Sequence, residues 1–126
     1  MRKEIRVNPN GGPILTNVRV QGLVVAGYYL QFFEANSNNV IASYSGHNES
    51  EDDDLRALPN SAEKNLGRVL MLDTSIANID DTIEGRTYKI SLEIYQDHEL
   101  VDAAIEENQL ENNVQYSLIL VKLLGL

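Results

Sequence analysis

The chain has 126 residues, 43% apolar and 23% charged, which is the composition of a single folded globular domain. It contains no cysteine, which excludes disulfides, thiol nucleophiles, cysteine-ligated zinc and iron–sulfur clusters. The net charge is −9, and the 10 basic residues are scattered singly among 19 acidic ones, which argues against binding to nucleic acid or to anionic membranes.

Neither the N-terminal segment nor the longest apolar tract predicts export by a signal peptide or insertion into a membrane. Met1 to Arg6 carries basic side chains with no apolar stretch behind them, so it does not have the pattern of a signal peptide. The longest apolar tract, residues 23–33, is interrupted by Gly27 and Gln31 and is shorter than the roughly 20 residues of a spanning helix. We therefore expect a cytoplasmic protein, with leaderless export as the open alternative.

The first half of the sequence contains four segments with the period-two alternation or apolar and aromatic enrichment of strands. They are residues 4–7, 14–20, 27–33 and 39–44. Asn8-Pro9-Asn10-Gly11-Gly12-Pro13 breaks the chain between the first two, and the Asn-rich residues 36–39 predict a tight hairpin between the last two.

The second half predicts four more strands, at residues 68–73, 88–95, 99–110 and 114–124. The third of these is ambiguous because Leu100, Ala103, Ala104 and Glu107 also fit helical spacing. We favour a strand there, since a turn at residues 96–99 directly precedes it and makes a hairpin easy to close.

His47–Lys64 is polar and acidic and predicts a long surface loop, with one helical turn near residues 61–64. Together these segments predict a single domain, residues 1–126, in the all-β class. Its expected architecture is an antiparallel two-layer β-sandwich of seven or eight strands, with one short helix at most; a closed β-barrel is the alternative. The pattern resembles immunoglobulin-like and jelly-roll modules in general, but no motif is specific enough to carry a function across.

The segments 27–33 and 114–124 are apolar on both faces. A two-layer sandwich buries only the inner face of each sheet, so an apolar outer face needs cover from the 47–64 loop or from another subunit. Symmetric self-association is the common form of such cover. We therefore expect a homo-oligomer whose interface is formed by Tyr29, Phe33, Ile119, Val121 and Leu123.

Clustered carboxylates on loops suggest a second, different function. Hard oxygen ligands suit calcium, and the candidate ligands are Asp52, Asp53, Asp54, Asp80 and Asp81. Their spacing is not that of an EF-hand, and a solvated acidic loop is the simpler interpretation.

No motif for catalysis stands out. The two histidines lie in polar turns, there is no Gly-x-Ser-x-Gly elbow, and no pair of carboxylates is singled out among the 19 acidic residues. The leading hypothesis is thus a non-enzymatic binding or assembly module without a cofactor, whose loops could also contact another protein or a glycan. Calcium-dependent glycan binding is the alternative, and a small hydrolase with a carboxylate general base ranks third.

Overall fold

A computed structural model describes residues 1–48, 55–79 and 85–126. These residues form nine strands. The bounds are β1 Arg2–Val7, β2 Leu15–Gln21, β3 Val24–Phe33, β4 Val40–His47, β5 Arg56–Ala57, β6 Val69–Asn78, β7 Thr87–Gln96, β8 Glu99–Gln109 and β9 Val114–Gly125.

The strands form two sheets, and the predicted two-layer sandwich is confirmed. One sheet has five strands in the order β1-β9-β6-β3-β4, and the other has four in the order β5-β2-β7-β8. Because the sheets remain separate, the alternative of a closed barrel is wrong. All eight predicted strands are present, including β8, for which a helix was the competing interpretation.

Most neighbouring strands are antiparallel, but β1 and β9 are parallel, with Arg2 opposite Leu120 and Val7 opposite Gly125. The first and last strands of the chain are thus partners at one edge of the five-stranded sheet. β7 and β8 form a hairpin through Asp97 and His98, both with positive φ.

The core lies between the two sheets. Alternate residues of β3, β6, β7 and β9 point inward and most of them are buried, as the period-two geometry of strands requires. The largest of these side chains include Phe32, Leu72, Leu92, Ile119 and Leu123.

Polar contacts close both sides of the sandwich. On one side, Lys3 of β1 forms an ion pair of 3.1 Å with Asp102 of β8, and the Ser117 hydroxyl of β9 donates a hydrogen bond to Glu106. On the other side, the guanidinium of Arg56 lies 5.6 Å from the centre of the Tyr44 ring. The charged groups of the edge strands thus join the two layers.

The described part of the 47–64 loop is not purely a surface segment. It contains β5 and buries Leu58 and Ala62 in the core. Residues 62–67 form turns, and the backbone N–H of Asn65 donates to the carbonyls of Ser61 and Ala62, so the helical turn expected near residues 61–64 is present. It does not extend into a helix in the part of the chain that the structure describes.

Within residues 1–48, 55–79 and 85–126, no helix has the length and apolar character needed to cross a membrane.

Candidate functional site

The outer face of the five-stranded sheet carries exposed apolar and aromatic side chains. Tyr116 is 73% exposed, Tyr29 64%, Val114 49% and Leu118 46%. Such a set of large side chains on one face of a sheet is the kind of surface that marks an interaction site.

Strand register brings these side chains together. Tyr29 of β3 lies opposite Asp73 of β6, and Asp73 lies opposite Leu118 of β9, so the three form one row across the sheet. Tyr116 lies opposite Ser75 in the adjacent row. The two tyrosines therefore lie on the same face, one row and two strands apart.

Charged side chains lie at the margin of this face and at one point within it. The exposed side chains of β1 on this side are Arg2, Glu4 and Arg6, and Lys122 of β9 lies next to them. Asp73 is the exception, because it is exposed on the central strand between Tyr29 and Leu118. The face thus consists of an apolar field with a cationic margin and one central carboxylate.

Two of the five predicted interface residues belong to this face. Tyr29 is exposed and Phe33 is partly exposed, and both point outward from β3. Phe33 also lines a hollow of about 300 Å³ together with Met71 and Leu120.

The other three predicted interface residues are on the opposite side of their strand. Ile119, Val121 and Leu123 are 0% exposed, because they pack between the sheets as part of the core. They therefore cannot contact a partner on the outer face, and the residues that can are Tyr116, Leu118 and Leu120.

The sequence contains a signal that identifies the correct face of β9. Lys122 has the same parity as Tyr116, Leu118 and Leu120, and a lysine is almost never fully buried without a partner. The even-numbered positions are therefore the outward ones.

The acidic residues predicted to bind calcium, Asp52, Asp53, Asp54, Asp80 and Asp81, lie outside the described residues. β4 precedes the first acidic segment and β6 precedes the second. Both strands finish at the same end of the five-stranded sheet, because His47 of β4 pairs with Gly27 and Asn78 of β6 pairs with Val24, near the start of β3. Within the described ranges, no group of three or more acidic or histidine side chains is arranged to hold a metal. Calcium binding therefore stays a prediction.

Two carboxyl groups in the described part of the chain are held as anions by their neighbours. Hydrogen bonds from Arg68, and then from the backbone N–H of Ala35, lower the pKa of Glu34. The pKa of Asp102 is lowered first by a hydrogen bond from the backbone N–H of Ala103 and then by one from Lys3. A lowered pKa makes a carboxylate a weaker general base at neutral pH.

No protein-family model matches the chain, and no curated protein matches it. Among solved structures, it is similar to the crystal structure of a domain of unknown function, DUF4425, from Bacteroides vulgatus ATCC 8482. The TM-score is 0.55, with 13% sequence identity, over 92% of this chain and 98% of that chain. At this identity the similarity shows the fold alone.

Proposed function

We propose that this chain is a non-enzymatic assembly module that binds a second copy of itself through the outer face of the five-stranded sheet. The observation that supports the proposal is the exposure of Tyr29, Tyr116 and Leu118 on one face, 64%, 73% and 46% respectively. Burying a large apolar side chain completely is worth about 1.5–3 kcal/mol, so these residues would favour association.

The area of the face is close to that of a standard protein–protein interface. Five strands spaced about 4.8 Å apart and about nine residues long cover roughly 700 Å² of sheet. A standard protein–protein interface buries about 800 Å² on each partner. Two copies of this face, packed against each other, would therefore approach the standard size.

The charge distribution also favours this face as the self-contact. The chain carries a net charge of −9, whereas the face has three cations (Arg2, Arg6, Lys122) and two anions (Glu4, Asp73). The excess of acidic side chains therefore lies on other surfaces, and packing two such faces together does not bring those surfaces into contact. The cationic margin of one copy can also approach the central carboxylate of the other.

The two tyrosines are the expected anchors of the interface. Aromatic side chains that enter a pocket on the partner dominate the binding energy of many interfaces. The hollow of about 300 Å³ beside Phe33, Met71 and Leu120 can receive one aromatic ring from a second copy.

The test is the oligomeric state, measured by sedimentation equilibrium or by size exclusion with light scattering. We expect a concentration-dependent dimer, and we expect Leu118→Lys to shift it to monomer because the lysine places a charge in the apolar field. Ile105→Lys is a matched control, because Ile105 is 45% exposed on the outer face of the other sheet and Leu118 is 46% exposed.

Two outcomes would overturn the proposal. One is a protein that remains monomeric up to about 1 mM, which corresponds to less than about 4 kcal/mol of association free energy. The other is a dimer that Ile105→Lys dissociates and Leu118→Lys does not.

A further inference from the structure

A groove lies on the outer face of the four-stranded sheet, on the opposite side of the molecule from the proposed dimer face. Its volume is about 480 Å³, and its lining includes Leu15, Asn17, Arg19, Leu55 and Tyr95. Concave sites that combine apolar walls with a few fixed polar groups are typical of ligand binding.

Glu93 holds the polar side chains of the groove in place. Its Oε1 accepts hydrogen bonds from Asn17 Nδ2 at 2.8 Å, Arg19 Nη2 at 3.4 Å and the Tyr95 hydroxyl at 3.3 Å. The Glu93 side chain is only 14% exposed. One carboxylate therefore orients Asn17 and Tyr95 before any ligand arrives, and such preorganisation lowers the entropic cost of binding. It holds Arg19 more weakly, because that bond is the longest of the three and the Arg19 side chain is 51% exposed.

Asn17 has an unused hydrogen-bond acceptor in this groove. The residue is 7% exposed, and its Oδ1 is buried without a hydrogen-bond partner among the described residues. A buried polar atom without a hydrogen-bond partner carries a free-energy cost in the folded chain. Its amide is fixed by Glu93 in the direction that leaves the oxygen available, so a donor from a ligand would recover this free energy.

Because Asn17 Oδ1 is buried, a ligand reaches it only when neighbouring side chains move. The Arg19 side chain is 51% exposed and Leu55 is 43% exposed, and both line the groove with Asn17. Exposed side chains change rotamer within picoseconds to nanoseconds. The acceptor is therefore within reach of a ligand in the groove.

We propose that this groove binds a neutral carbohydrate without calcium. Two neighbouring sugar hydroxyls supply a donor to Asn17 Oδ1 and an acceptor for the free N–H groups of Arg19. The ring of Tyr95 and the side chain of Leu15, which lie opposite each other on β7 and β2, offer an apolar surface to the C–H face of the sugar.

Charge and length favour a neutral oligosaccharide over an anion. The ion pair with Glu93 offsets the charge of Arg19, and the chain as a whole carries −9, so an anionic ligand gains little. From Leu15 to Arg19 the groove follows four residues of strand, or about 13 Å, which exceeds the length of one pyranose ring. The proposal does not rest on the dimer, because the groove and the dimer face lie on opposite sheets.

The test is an NMR titration of the ¹⁵N-labelled protein with methyl glycosides of glucose, galactose, mannose and N-acetylglucosamine, and with maltotetraose and cellotetraose. EDTA is present throughout to remove calcium. We expect saturable shifts of the Asn17 side-chain amide and of the backbone amides of Arg19 and Tyr95 with at least one of these probes, and tighter binding of a tetrasaccharide than of its monosaccharide.

Variants separate the groove from the rest of the surface. Asn17→Ala and Arg19→Met are each expected to weaken binding at least about tenfold, the effect of losing one good hydrogen bond. Lys64→Met is the control, an exposed cation that does not line the groove, and leaves binding unchanged. Asn17 is buried, so Asn17→Ala can fail to fold. Arg19 is half exposed, so Arg19→Met tests the proposal without that risk.

Shifts confined to other surfaces, or no shift with any of the six sugars at about 20 mM, would overturn the proposal. So would binding that Arg19→Met leaves unchanged. If acetate or sulfate shifts the resonances of the groove and the sugars do not, the groove binds anions, and the carbohydrate proposal is refuted.

Discussion

The side chain of Arg68 is nearly buried, and its guanidinium donates several hydrogen bonds. Its guanidinium donates to Glu34 at 3.1 and 2.9 Å, to Asn60 Oδ1 at 2.6 Å and to Asn65 Oδ1 at 2.8 Å. It also lies 5.8 Å from the centre of the Phe32 ring. These contacts tie the turns before β6 to the hairpin between β3 and β4.

We predict that Arg68→Met lowers the free energy of unfolding by about 2–4 kcal/mol. The reason is that the Oδ1 of Asn65, a residue that is 0% exposed, loses this donor. Chemical denaturation measures the change, and Arg2→Met, on an exposed residue, is expected to stay within about 0.5 kcal/mol of the parent. Equal effects of the two substitutions would contradict the structural role of Arg68.

The lowered pKa values of Glu34 and Asp102 predict a loss of stability in acid. Each carboxyl has a lower pKa in the folded chain than in the unfolded chain, so the unfolded state binds more protons as the pH falls through this range. The stabilisation is complete above the ordinary carboxyl range and is lost as the pH falls through the lowered pKa values. Thermal unfolding measured between neutral and acid pH checks the sign.

The two carboxyls respond to different substitutions. Arg68→Met is expected to raise the pKa of Glu34 towards its usual range, because the largest cause of its shift is removed. Lys3→Met raises that of Asp102 only in part, since the hydrogen bond from Ala103, its largest cause, remains. NMR titration of the side-chain carboxyls measures both, and each variant is the control for the other.

β9 has apolar residues on both faces, and adjacent positions differ completely in environment. Ile119 is 0% exposed and Leu118 is 46% exposed. Ile119→Ala is expected to lower the free energy of unfolding by about 2–5 kcal/mol because it leaves a cavity between the sheets. Leu118→Ala is expected to cost about 1 kcal/mol or less in the monomer.

Denaturation at low protein concentration compares this pair without a contribution from association. A larger loss for Leu118→Ala than for Ile119→Ala would reverse the assignment of the two faces.

The β7–β8 hairpin turns through two residues with positive φ, 54° at Asp97 and 67° at His98, as a type I′ turn requires. Asp97 also accepts a hydrogen bond from the backbone N–H of Gly12, whereas His98 is exposed and has an ordinary side chain in a left-handed conformation. We predict that His98→Gly raises the free energy of unfolding by about 0.5–1 kcal/mol.

His98→Val provides the comparison in the opposite direction. A β-branched residue tolerates positive φ poorly, so this variant is expected to lose about 1 kcal/mol or more. If both variants have the same stability, backbone strain at residue 98 is not the cause.

The molecule as a whole is built from contacts between distant parts of the chain. β1 pairs with β9, and the N-terminal ammonium of Met1 donates to the carbonyl of Leu118 at 2.7 Å. These contacts require the entire chain to be in place, and closing such long loops has an entropic cost.

We therefore predict slow folding, with relaxation in milliseconds to seconds, as is usual for all-β sandwiches. Stopped-flow refolding followed by the fluorescence of the six tyrosines measures it. Complete recovery of the native signal within microseconds would contradict this expectation.

The strands, the sandwich and the β7–β8 hairpin could be predicted from the sequence because they depend on local patterns. Alternation of side chains along 88–95 and the turn at 96–99 involve residues that are close in the chain. The same alternation placed Tyr29 and Phe33 on one face of β3, and the structure shows that this face points outward.

Alternation alone does not show which face of β9 lies inward, because both faces are apolar; Lys122 is the sequence feature that marks the even-numbered face as the outward one. Packing against the second sheet decided it, and it placed Ile119, Val121 and Leu123 in the core. The groups around Arg68 and Glu93 were equally beyond local patterns, since Arg68 and Glu34 are 34 residues apart and Asn17 and Glu93 are 76 apart. Local alternation thus determined the strands, whereas the register between distant strands decided which side chains meet and which face water.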